Sequence, residues 1–149
     1  SRPPVIWPSE QACTGCSVSL LNAVNPTIDQ VLLNTISLNY HPNVMAAAGD
    51  LAVSAARSTA QAGGYVLVVE GAIPTASSGR YCYVWDEGGR SVTMAEAVSS
   101  LAATDQYVVA VGTCASFGGI PAKYGSSGAM GVGAFLGRPV INLPGCPTR

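Results

Sequence analysis

Residues 65–69 (Tyr-Val-Leu-Val-Val) and 107–111 (Tyr-Val-Val-Ala-Val) are apolar throughout, with no alternation. This is the pattern of strands covered on both faces of a parallel sheet. Shorter runs at 5–7 and 140–143, with a fourth candidate at 31–38, bring the expected count to about five strands. Helix-like stretches separate them at 17–24, 43–62, 94–103 and 128–136. Strand and helix in alternation predict an α/β fold.

The stretch 43–62 shows the grammar of a helix. Pro42-Asn43 supplies a start signal, Val44, Ala48, Leu51, Ala52 and Ala55 recur at helical spacing, and Gly63-Gly64 ends the pattern. Its other face is mostly small, with Asp50 and Arg57 as charges, and is read either as exposed or as packed against another chain. Residues 71–92 carry Pro, Ser and a Gly pair around Tyr81-Cys82-Tyr83-Val84-Trp85. An excursion or hairpin between strand and helix is expected there.

Charge is sparse. Of 149 residues only 10% are charged, against about a quarter in an ordinary soluble domain. The formal net charge of -1 leaves no basic footprint for nucleic acid and no polybasic face for a membrane surface. No apolar run approaches the roughly 20 residues needed to span a bilayer, so no transmembrane segment is expected. The length suits one domain whose core needs no disulfide staples.

Five cysteines give the candidate chemistry. Cys13 and Cys16 form Cys-Thr-Gly-Cys after the first strand, Cys114 follows the 107–111 run by three residues, and Cys146 follows Leu143 by three. In an open parallel sheet the strand C-termini share one edge, so these four distant cysteines are expected to converge there. Small residues flank them: Thr14-Gly15, Gly112-Thr113, Gly118-Gly119 and Gly145. Backbone can therefore approach a bound group closely. Three readings stay open. A thioredoxin-like pair leaves Cys114 and Cys146 unexplained. Structural zinc usually uses two paired knuckles in a small domain. A Cys-ligated [4Fe–4S] cluster is favoured by the chemistry, with the helix start after Cys16 directing partial positive charge at an anionic group.

Glu70 closes the strongest strand and belongs on the same edge, where gating protons, bonding a partner and capping a turn are equally open roles. Cys82 reads as a small buried hydrophobe, His41 as a packing or interface residue, and Trp7 and Trp85 as core or interface aromatics. The chain carries no phosphate-binding loop and no Ser/His/Asp set.

Together these residues resemble a known family, the small, electron-transferring subunit of nickel–iron hydrogenases. The resemblance rests on Cys13-Thr14-Gly15-Cys16-Ser17-Val18-Ser19-Leu20-Leu21-Asn22, Met45-Ala46-Ala47-Ala48-Gly49, Val69-Glu70-Gly71, Gly112-Thr113-Cys114-Ala115-Ser116-Phe117-Gly118-Gly119 and Pro144-Gly145-Cys146-Pro147. The Cys-Thr-Gly-Cys-Ser-Val-Ser form is similar to the nickel–iron–selenium branch.

The resemblance implies a flavodoxin-like open parallel sheet with helices on both faces. It implies one such domain over residues 1–149, corresponding to the N-terminal half of a family member and lacking the C-terminal cluster-binding half. Cys13, Cys16, Cys114 and Cys146 would hold a proximal [4Fe–4S] cluster at the C-terminal strand edge, and Glu70 would have a proton or interface role. Hydrogen activation would belong to a nickel–iron centre in an obligate large subunit, this chain passing electrons to or from an acceptor protein and having no catalysis alone. A stand-alone iron–sulfur or zinc module and the small subunit of a hydrogen sensor are the alternatives. The implied location is periplasmic or membrane-associated, with the cytoplasm as the alternative. One departure is Ala12, where many family members have Glu before the first cysteine.

Overall fold

The apolar runs become the middle of a parallel sheet in the computed structural model, which describes residues 2–9, 11–42, 49–105 and 107–149. Among the described residues seven strands form: β1 (Pro4–Ile6), β2 (Ser37–Tyr40), β3 (Val66–Glu70), β4 (Tyr83–Glu87), β5 (Arg90–Thr93), β6 (Tyr107–Val111) and β7 (Ile141–Leu143). Five of them make one parallel sheet in the order β2-β1-β3-β6-β7. Counting only those five, the order is 2-1-3-4-5, the flavodoxin-like arrangement, with its reversal between β1 and β3. The fold is α/β, as the pattern of runs predicted.

Alternate side chains along the central strands enter two cores. Ile6, Leu67, Val69, Val108 and Ala110 face one side. There they meet α3 (Asp50–Ala62) through Ala52, Val53, Ala56 and Ala60, and α4 (Met94–Leu101) through Met94, Ala97, Val98 and Leu101. Val5, Trp7, Val68 and Val111 face the other side, where Leu20 of α1 (Gly15–Leu21) and Leu38 pack against them. Apart from the exposed Tyr107, the positions of β3 and β6 are buried or half-buried on one face or the other, which is why their sequences do not alternate.

β4 and β5 form the hairpin expected between residues 71 and 92, antiparallel and turning through Gly88 and Gly89 at φ 59° and 76°. Positive φ at both turn positions suits glycine and the twist of a tight hairpin. Trp85 from β4 stacks edge-on with Tyr40 at 5.3 Å, and Arg57 lies over its ring while pairing with Glu87 at 2.9 Å. Thr93 starts α4 as a capping box: its hydroxyl accepts the Glu96 N–H at 3.1 Å, and Glu96 returns the bond to the Thr93 N–H at 3.0 Å.

Several boundaries differ from the expectation. The run at 31–38 is not one strand: Val31–Thr35 is a π-helical turn that continues α2 (Ile28–Gln30), and β2 begins only at Ser37. The Gln30 side chain accepts the Thr27 N–H at 3.0 Å, and this start signal carries helix into the apolar run. The helix expected over 43–62 is observed as α3 from Asp50, because Gly49 sits at φ 60°, ψ −140°, outside helical geometry. Asn43, Val44, the motif residues 45–48 and Glu10 lie outside the described residues. The stretch at 17–24 is α1, starting earlier at Gly15, and that at 128–136 shortens to α7 (Val132–Leu136). Two short helices, α5 (Gly112–Phe117) and α6 (Gly119–Tyr124), were not expected from so glycine-rich a segment. Among the described residues, no helix is long and apolar enough to cross a membrane.

Candidate metal centre

Three segments at the C-terminal edge of the sheet bring cysteines to one place, the first a pair and the other two one each. Cys13 lies in the loop after β1, and Thr14, in the left-handed region at φ 63°, turns the chain into α1, whose second residue is Cys16. Cys114 is the third residue of α5, directly after β6, and Cys146 follows β7. All four line one small concavity together with Glu70 and Gly112. The expected convergence of Cys13, Cys16, Cys114 and Cys146 is therefore present in the geometry.

The loops are tied to one another. Thr113 donates its N–H to the Gly145 carbonyl at 2.9 Å, and the Gly145 N–H returns to Thr113 Oγ1 at 3.2 Å, locking the β6 and β7 loops. Ser19 Oγ of α1 donates to the Thr148 carbonyl at 2.7 Å. A site held by hydrogen bonds between separate elements is organised before a ligand arrives.

Glycine makes room at three of the four sulfurs. A Cβ on Gly112 would stand 2.6 Å from Cys16 Sγ, one on Gly119 3.1 Å from Cys114 Sγ, and one on Gly15 3.0 Å from Cys13 Sγ. At Gly112 that spacing is closer than a Cβ can come to sulfur, and at Gly15 and Gly119 the sulfur would have to give by a few tenths of an ångström. Cys16 and Cys114 are half-buried, Cys13 and Cys146 exposed. Burial first, then the neighbouring sulfurs of Cys146, Cys13 and Cys16, push the Cys114 thiol up from its ordinary value. Four thiolates in one concavity need a compensating cation, and no Lys or Arg lines it. Among the described residues, no three His, Cys, Asp or Glu side chains are placed to hold a single metal ion. A donor set of four sulfurs spread around a backbone cradle fits a polynuclear iron–sulfur group better than zinc.

Glu70 lies beneath this concavity, 1% exposed. Its Oε1 accepts the N–H groups of Cys16 at 3.1 Å and Ser17 at 3.2 Å, and its Oε2 accepts Trp7 Nε1–H at 3.3 Å and the Ser17 hydroxyl. Of the roles the sequence left open, capping is the one these contacts perform: Glu70 caps α1, whose Thr14 N-cap makes no side-chain cap bond. The Cys16 and Ser17 amides at the start of α1 are thus bonded to Glu70.

His41 is 1% exposed and meets Ser17 Oγ through Nε2 at 3.0 Å, with its ring 5.2 Å from that of Trp7. Burial lowers its pKa, and the Glu70 carboxylate opposes the shift. It is a packing residue with a polar link that its sequence context, Asn-Tyr-His-Pro, did not signal. Cys82 is buried in the large core, away from the four other cysteines. Trp7 and Trp85 are core residues.

The family model that matches residues 13–149 describes the NADH ubiquinone oxidoreductase, 20 Kd subunit. The chain is 47% identical to the periplasmic [NiFeSe] hydrogenase small subunit of Desulfomicrobium baculatum, over 98% of this chain and 50% of that one. It is 44% identical to the periplasmic [NiFe] hydrogenase small subunit 1 of Nitratidesulfovibrio vulgaris, over 98% and 46%. The structure superposes on the reduced, active Ni-Fe-Se hydrogenase of Desulfomicrobium baculatum with a TM-score of 0.95 at 46% identity, covering 99% of this chain and 57% of that chain. For recombinant [NiFeSe] hydrogenase of Desulfovibrio vulgaris Hildenborough the TM-score is 0.96 at 44% identity, covering 99% and 55%. The chain spans about half the length of the curated relatives it matches.

Proposed function

Because the chain belongs to the NADH ubiquinone oxidoreductase, 20 Kd subunit family, and resembles hydrogenase small subunits over its whole length, we propose that it is the electron-relaying part of a nickel–iron or nickel–iron–selenium hydrogenase. The whole of residues 1–149 would form one flavodoxin-like domain. Cys13, Cys16, Cys114 and Cys146 would hold a proximal [4Fe–4S] cluster. When bound, such a cluster supplies a one-electron couple.

The convergence of four distant cysteines on one concavity carries this reading. Each part of the chain has a task in it. The thiolates fix the iron, while Gly15, Gly112 and Gly119 let backbone approach the sulfurs. The paired bonds of Thr113 and Gly145 keep two ligand loops in register. Glu70 anchors the Cys16 backbone from below, and its four donors support a role inside the chain rather than at its surface.

The partner would be a large subunit with the hydrogen-activating nickel–iron centre, and an acceptor or donor protein would exchange electrons. Phe117 and Ile120, 65% and 69% exposed just beyond Cys114, support an apolar docking face beside the centre. Low overall charge fits such a face. The names of the relatives support a periplasmic site of action.

Anaerobic iron, sulfide and metal analysis of the protein with its copurifying partner, with a visible spectrum before and after dithionite, tests the reading. About four iron and four sulfide per chain, a broad absorption that bleaches, and a nickel-bearing larger chain are expected. Zinc without sulfide and without a partner would replace it with a structural zinc module.

A further inference from the structure

The group beneath the concavity is more elaborate than a helix cap requires. A cap needs one acceptor, whereas Glu70 collects four donors on two oxygens: the Trp7 indole N–H, the Cys16 and Ser17 amides and the Ser17 hydroxyl. A carboxylate, which only accepts, satisfies all four. Ser17 has one hydroxyl proton, and giving it to Glu70 leaves its oxygen to accept from His41 Nε2–H at 3.0 Å. The hydrogen bonds thus run in one direction, from His41 through Ser17 to Glu70. Glu70, Ser17 and His41 are each 1% exposed, and Trp7 is 7% exposed. No cationic side chain lines the concavity to cancel the carboxylate.

Resting on the reading that the four cysteines hold an iron–sulfur cluster, we propose that Glu70 is a positioning residue of that centre, fixed in place by Trp7, Ser17 and His41. It holds the backbone that carries Cys16, and it keeps a buried negative charge beside the cluster that disfavours the added electron. The physical cause is local. A buried negative charge is screened less than one in water and so opposes more strongly the reduction of a neighbouring group, which adds another. The donors that stabilise Glu70 set how much of that charge the cluster feels. Ser17 sits between both tasks, since its amide completes the cap and its hydroxyl compensates Oε2.

The test uses the assembled protein with its partner subunit. Iron and sulfide content of the wild type is measured first, and absence of both would refute the cluster reading itself. Cluster midpoint potentials are then read by redox titration followed by EPR. Glu70→Gln keeps an oxygen for the Cys16 and Ser17 amides and removes the charge. Full iron content is expected, with the reduced-to-oxidised ratio at fixed potential raised about tenfold, which is about 59 mV for a one-electron couple. Ser17→Ala keeps the charge and removes a donor, so a smaller shift in the opposite direction is expected. Glu70→Asp, which restores the charge, should return the midpoint toward wild type. A Glu70→Gln protein with full iron and an unmoved midpoint would overturn the proposal, as would shifts of the same sign in Glu70→Gln and Ser17→Ala. If Glu70→Gln holds no iron, Ser17→Ala decides alone: a more negative midpoint supports the proposal, and an unchanged one overturns it.

Discussion

The Glu70 carboxylate reaches across 54 positions of sequence to accept the backbone N–H of Cys16 at 3.1 Å. The last residue of β3 is thereby joined to the first turn of α1, at the place where the order of strands reverses between β1 and β3. Ligand-binding loops gather at such a reversal because the connections leave in opposite directions and open a crevice between them.

Removal of either half-buried sulfur is expected to empty the centre. On the proposed function, Cys16→Ala or Cys114→Ala should lose iron and dye-linked hydrogen uptake while nickel stays with the partner subunit. Metal analysis of the purified complex reads both at once, and full uptake by either variant would refute the ligand assignment.

Gly112→Ala should act on the same centre without replacing a proposed ligand. The new methyl would stand 2.6 Å from Cys16 Sγ, at a residue whose φ is 87°. Left-handed strain of about 1–3 kcal/mol adds to the clash. Iron content should fall well below that of the wild type, whereas Gly137→Ala, at φ 65° with open space around it, should bear the strain alone and keep its iron.

Leu67→Ala tests the larger core. Leu67 is fully buried in β3 and faces the core covered by α3 and α4, so truncation should cost about 2–5 kcal/mol of stability. Chemical denaturation of wild type and variant gives the difference, and a loss below 1 kcal/mol would mean that the site collapses around the void.

Acid should loosen the fold through His41. Its folded pKa lies below the ordinary value of about 6.5, chiefly because of burial, so the unfolded chain binds the proton more readily. Stability from this group is complete above about pH 6.5 and is lost as the pH falls through the folded pKa. Thermal melts between pH 8 and 5 should show the decline beginning near 6.5, on the order of the unfolded-state value, and His41→Phe should flatten that part of the curve.

Much of the architecture was legible because burial on both faces leaves a plain trace. β3 and β6 announced themselves as uninterrupted apolar runs, and the Gly88-Gly89 pair marked the hairpin turn. The cysteines converged as expected, since a parallel sheet sends every strand end to one edge. Local signals misled where two structures share a composition. Val31-Leu32-Leu33 suits strand or helix alike, and the start signal at Thr27 to Gln30 decided for the helical turn. α5 and α6 hide behind glycines that are needed for room around sulfur, so low helix propensity there reflects the site and not the backbone. The bonds of Ser17 to Glu70 and His41 link residues with no common period, and only the assembled fold discloses them.

The lock between Thr113 and Gly145 also has a meaning in time. Synthesis delivers Cys13 and Cys16 early and Cys146 last of the four, and the β6 and β7 loops cannot clasp until β7 has emerged and added itself to the sheet edge. A nascent chain therefore carries Cys13 and Cys16 well before Cys114 and Cys146, which complete the concavity, have been made. The concavity that all four sulfurs line is consequently complete only once β7 has paired with β6.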